Sequence, residues 1–134
     1  MAAKWTVAPS HEELAFLVEA GIIYRDAKNF QGARDVFTGV KELFPQYDFP
    51  EVFLGTVDFQ EGHFEAAEAH YRKALEVNPR SAFAYAHLGE ASLFRKDKET
   101  ALKHLKAAVK LDPLGDFGKM ARRLMEMADG VTFS

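Results

Sequence analysis

Apolar residues along this chain recur at intervals of three and four rather than in alternation, so the pattern predicts helices throughout and no strands. Phe83-Ala-Tyr-Ala-His-Leu-Gly-Glu-Ala-Ser-Leu-Phe94 is one such run, and Ala101-Leu-Lys-His-Leu-Lys-Ala-Ala-Val-Lys-Leu111 is the next. The pattern itself repeats. Gly21, Gly55 and Gly89 stand 34 residues apart, and so do Ala33, Ala67 and Ala101. The same interval separates Phe37, Tyr71 and Leu105; Leu43, Val77 and Leu111; and Pro45, Pro79 and Pro113. Columns in one register at a period of this length signal stacked supersecondary units. They divide the chain into frames 14–47, 48–81 and 82–115, each with two helical runs.

Asn29, Gly62-His63 and Asp97 lie between the two runs of each frame and end one helix or cap the next, while each proline closes the second. The recurring glycines and alanines predict close approach of the paired helices. Ser10-His-Glu-Glu13 has the spacing of a capping box, which starts the first helix. After the third frame, Phe117, Met120, Ala121, Leu124 and Met127 or Ala128 share one face of a further helix over 116–129. Such a helix covers the apolar side of the last repeat, as the end of a solenoid requires. The expected organisation is all-α and a single domain over 1–134. It has an N-terminal extension over 1–9, three helix hairpins, a capping helix and a tail over 130–134.

These residues resemble the tetratricopeptide repeat, whose pattern is Trp-x2-Leu-Gly-x2-Tyr followed by Ala, an aromatic, Ala and Pro over 34 positions. The second frame carries Leu54-Gly55, Gly62-His63-Phe64, Ala67, Tyr71, Ala74 and Pro79, and the third carries Tyr85, Leu88-Gly89, Ala101, Leu105, Ala108 and Pro113. The first frame departs at Leu17 and Val40, where the family has Trp and Ala, and Glu51 and Lys98 also depart. The resemblance implies an alpha-alpha superhelix whose function is protein binding. Asp35-Val-Phe37, Phe53-Leu-Gly55 and Gly62-His-Phe-Glu-Ala-Ala67 are also similar to stretches of the small tetratricopeptide chaperones of bacterial type III secretion. Those chaperones hold translocator or needle subunits soluble. The same stretches resemble many unrelated repeats, so a general scaffold assembling a cytoplasmic complex stays open as the alternative.

In the family the first helix of each hairpin lines the concave side. Helical spacing then predicts a partner-binding groove of Val18, Ile22 and Arg25; Phe49, Val52 and Phe59; and Phe83, Ala86, Glu90 and Leu93, with Ala15 and Thr56 filling the stripe. The expected client is an amphipathic helix or an extended apolar segment. The carboxylate clamp of some family members uses Lys, Asn, Asn, Lys and Arg, where this chain has Val18, Ile22, Phe53, Phe83 and His87. A ligand recognised through a terminal carboxylate lacks its donors here.

Composition narrows the classes further. A net charge of −3 with scattered Lys and Arg gives no basic stripe, so neither nucleic acid nor membrane is an expected partner. With no cysteine, no signal-peptide pattern and no apolar run near a membrane span, the expected location is cytoplasmic. Twelve Phe in so small a chain exceed what its interior readily hides, which again favours an apolar groove.

No nucleophile stands beside a base, no metal-ligand spacing occurs and no phosphate loop follows a strand, so no enzyme, metal or cofactor is expected. His70 and His104 stand one repeat apart, and His63 shares a column with Asn29 and Asp97, which makes them repeat positions. Trp5, Val7 and Phe16 precede or open the first helix, and they serve either as a homodimer surface in the N-terminal region or as a cap on that helix.

Overall fold

The computed structural model describes residues 9–130, and these form seven helices with no strand among them. Helices α1 (His11–Asp26) and α2 (Phe30–Leu43) make the first hairpin. The second is α3 (Phe49–Gln60) with α4 (Phe64–Val77), the third is α5 (Ala82–Phe94) with α6 (Lys98–Leu111), and α7 (Asp116–Gly130) follows. Each hairpin packs against the next, and α7 packs on α5 and α6.

Helix ends follow the local signals. Ser10 accepts from the Glu13 N–H at 3.1 Å and the Glu13 carboxylate accepts from the Ser10 N–H, which completes the capping box. Asn29, Ser81 and Asp97 cap α2, α5 and α6 by accepting the amides of Gly32, Ala84 and Thr100. His63 begins α4 without a side-chain cap. Each repeat proline stands two residues beyond the last residue of α2, α4 or α6. The turns inside the hairpins repeat as well: Lys28, Gly62 and Lys96 all have positive φ, at 65°, 84° and 62°. Only the middle one is the residue that takes this conformation without strain.

The glycine column works differently from its expected role. A Cβ on Gly21, Gly55 or Gly89 would meet a side chain of the partner helix: Phe37 at 2.5 Å, Tyr71 at 2.3 Å and Leu105 at 2.3 Å respectively. Each glycine therefore makes a seat for the large residue sixteen positions later, and backbone approach is secondary. Phe37, Tyr71 and Leu105 are fully buried there, together with Ala33, Ala67 and Ala101. The Tyr71 hydroxyl is buried with no hydrogen-bond partner among the described residues, and burial pushes its pKa upward.

The capping helix sits as expected, with Ala121 and Ala128 buried and Phe117, Met120 and Leu124 half-buried. Of the two candidates at its end, Ala128 faces inward and Met127 is exposed. Gly118 brings α7 against the chain that precedes it, since a Cβ there would meet the Asp112 carbonyl oxygen. The Asp112 carboxylate in turn accepts the Phe117 N–H at 3.1 Å.

Candidate partner-binding groove

Helices α3, α5 and α7 each place a phenylalanine at the same repeat position, Phe49, Phe83 and Phe117, which are 34 residues apart. Phe53, one turn after Phe49, joins them. The ring of Phe83 stacks on Phe117 at 4.6 Å and meets Phe53 edge-on at 5.3 Å, while Phe53 lies 6.4 Å from Phe49. Tyr47 extends the array beyond Phe49 at 5.6 Å. The four phenylalanine rings border an open hollow of about 750 Å³, with Asp48, Arg80 and Asp112 among its polar lining groups. Such edge-to-face and offset stacks hold rings in fixed places, which gives the hollow a rigid apolar wall.

Of the groove residues expected from the sequence, two border this hollow. Phe49 and Phe83 are half-buried and form part of the hollow. Val18 and Ile22 on α1 are half-buried, and Ile22 packs on the cluster of Ala33, Phe37, Leu54 and Val57. Arg25 donates to the Thr56 hydroxyl at 2.8 Å and to Asp26 at 3.0 Å, so its guanidinium is already engaged within the chain. Glu90 lies 3.2 Å from the His87 ring nitrogen Nδ1.

Two expectations fail. Val52 and Ala86 are wholly buried, Val52 beside Tyr71 and Leu88, and Ala86 beside Leu105 and Ala121. Val52 points between two hairpins and Ala86 between the last hairpin and α7, in the interior of the stack, where no partner can touch them. Leu93 packs partly into the same layer as Ala86. Phe59 contacts Phe64 at 5.2 Å and Phe94 at 4.8 Å, forming a separate aromatic cluster about 15 Å along α3 from Phe49.

Phe117, the next member of the Phe49 and Phe83 column, both covers the last repeat and lines the hollow. Phe53 lines the hollow, and the His87 ring meets Phe83 edge-on at 5.1 Å, although the sequence singles out both only as replacements for clamp residues. Trp5 and Val7 lie outside the described residues.

Polar side chains elsewhere serve the junctions between hairpins. Glu51 bonds Lys41 at 2.7 Å and His70 at 2.7 Å, and His70 reaches Asp58 at 3.3 Å. Burial alone would raise the Glu51 carboxyl, but the hydrogen bonds and charges of Lys41 and His70 outweigh it and hold the group below its ordinary value. Ligand atoms of Asp58, Glu61 and His63 come within 4.8 Å of one another. Arg34 already pairs with both carboxylates, so a guanidinium stands where a cation would be sought. No helix among the described residues is long and apolar enough to cross a membrane.

Residues 54–116 match the family model described as tetratricopeptide repeat. Among solved structures, the chain is similar to the Yersinia enterocolitica type III secretion chaperone SycD in complex with a peptide of the translocator YopD. That match has a TM-score of 0.72 at 18% identity and covers 90% of this chain and 93% of SycD. The Sgt2 tetratricopeptide domain from Aspergillus fumigatus gives 0.76 at 20% identity, covering 96% of this chain and 83% of its own. The TPR2B domain of yeast Sti1, in a complex with an Hsp70 peptide, gives 0.74 at 21% identity, covering 87% and 96%. No curated protein matches the chain by sequence.

Proposed function

We propose that this stack of tetratricopeptide repeats is a non-catalytic chaperone or adaptor that holds an apolar segment of a client protein against the face formed by α1, α3, α5 and α7. The observation that carries the reading is the continuous wall of Phe49, Phe53, Phe83 and Phe117 beside an open hollow. Preformed aromatic walls favour an amphipathic helix or extended strand with bulky apolar side chains, because little ordering is lost when the client docks. Val18, Ile22, Phe53, Phe83 and His87 stand where a carboxylate clamp would place cations and amides, which disfavours a ligand read through its terminal carboxylate. The finer proposal is a type III secretion chaperone, supported by the similarity to SycD and by the apolar character of the wall.

The test is co-expression with secreted subunits encoded beside this chain, followed by purification of the complex. A subunit that stays soluble only in the chain's presence, and that Phe49→Ala with Phe83→Ala releases, supports the proposal. Affinity should then fall by about 2 kcal/mol or more if these rings are hot spots. A client retained undiminished by that variant, with helicity unchanged, contradicts it.

A further inference from the structure

The aromatic wall leads along α5 to a carboxylate: His87 meets the Phe83 ring edge-on at 5.1 Å and lies 3.2 Å from Glu90. Glu90 stands two turns beyond Phe83, about 10 Å along the helix axis. Its side chain is 24% exposed, and it forms no ion pair with Lys or Arg among the described residues. Arg25, the cation of the same face on α1, turns its guanidinium to Thr56 and Asp26 instead. The field of Glu90 reaches the interior. Burial first, and the charge of Glu90 second, push the Tyr71 pKa upward.

We infer that the segment held in this groove carries a lysine or arginine that Glu90 receives, so that the client is a basic apolar segment. The inference rests on the proposed groove and names the chemistry of its occupant. A client that runs on from Phe83 past His87 covers Glu90 and strips it of water. A carboxylate left dry is costly unless a donor takes the place of that water, and a cation does so best, because the attraction strengthens as water leaves. An anionic segment would meet repulsion at the same point.

The charges around the wall have the same sign. Asp48 and Asp112 outnumber Arg80 at the hollow, and Glu19 on α1 is exposed at the repeat position of Phe53 and His87. Repulsion from these groups rejects acidic segments, and Glu90 fixes where a cation must fall relative to the apolar anchors. A face that lacks the donors of a carboxylate clamp thus presents a carboxylate of its own, and the sign of what it can read is reversed.

Fluorescence anisotropy with two synthetic peptides tests this on the full chain. One peptide is amphipathic, with leucine and phenylalanine on one face and lysine on the other, and its twin has glutamate in place of every lysine. The lysine peptide should bind about tenfold tighter or more. Glu90→Gln, which keeps the shape of the side chain, should cut that preference to roughly threefold, and Glu90→Lys should abolish or reverse it. Glu99→Gln removes an exposed carboxylate of α6, outside this face, and should leave the preference unchanged. Phe83→Ala should weaken both peptides alike. Equal binding of the twins, or a preference that Glu90→Gln leaves intact, overturns the inference while the groove stands. Failure of the chain to bind either peptide, or indifference of both to Phe83→Ala, contradicts the groove itself and the inference with it.

Discussion

Glu68 of α4 and Arg95, which ends α5, form an ion pair at 2.8 Å across the second hairpin junction, and they reverse the signs of Arg34 and Glu61 one repeat earlier. Each member stands 34 residues from its opposite-charged counterpart. Both junctions use the same two sites, yet a hairpin placed in the wrong order would set like charges together. Alternated polarity therefore adds order to an architecture whose apolar contacts are nearly interchangeable.

That alternation predicts a rescue. Glu68→Arg puts a third guanidinium beside those of Arg95 and Arg72 at a site where Glu68 is only 6% exposed. We expect its melting temperature to fall by about 4–8 °C, with Arg95→Glu in the same chain recovering most of the loss. Additive effects of the two substitutions in thermal unfolding would show that the pair has no role in the junction.

The glycine seats predict opposite effects for two similar substitutions. Gly55→Ala forces a methyl into the buried ring of Tyr71 and should cost about 2 kcal/mol in chemical denaturation. Gly39→Ala adds its methyl where nothing lies within 4 Å and should gain about 0.5–1 kcal/mol from helix propensity. Equal effects at the two positions would refute the seat.

Tyr71 fills its seat with a hydroxyl that has no partner among the described residues. Phe37 and Leu105 fill theirs without one. Tyr71→Phe should be neutral or raise stability by up to about 1 kcal/mol, measured by the same denaturation, because it removes a buried polar group left unsatisfied. A loss of that size would reveal a bond that the hydroxyl makes.

Stability should also fall on mild acidification. Burial on α6, reinforced by the charge of Arg72, holds His104 below its usual 6.5 and favours the neutral ring in the folded state. Below pH 6.5 the unfolded chain binds a proton that the folded chain resists, so the contribution is complete above that value and is lost as pH falls through the folded pKa. Glu51, held below its ordinary 4.5 mainly against the opposing effect of burial, adds a second loss as pH falls beneath that value. His104→Gln should flatten the first segment of a stability-against-pH curve, whose slope from one site is at most about 1.4 kcal/mol per pH unit. An unaltered slope contradicts the assignment.

The fold was legible because its signals are periodic: glycines, alanines and prolines at one interval, with caps between them, leave few other arrangements of the helices. The candidate groove was less so. A helical stripe gives direction about an axis but not depth, and depth decides Val52, which the next hairpin covers, and Ala86, which α7 covers, against Phe49 and Phe83, which stay half-open. Arg25 belongs to the same stripe, and only its contact with Thr56 across α1 and α3 reveals its guanidinium as engaged within the chain. Lys28 and Lys96 could not be read as left-handed turn positions, because that column shows glycine only once.

The central claim is that a client lies along the aromatic wall, and site-specific photocrosslinking tests it most directly. A photoreactive phenylalanine analogue at position 49, at the hollow, is compared with one at exposed position 73 on α4 in cells that express the full chain. The account predicts covalent adducts with one client protein from position 49 and background yield from position 73. Equal yields from the two sites, or none from position 49 while a client still co-purifies, would contradict it.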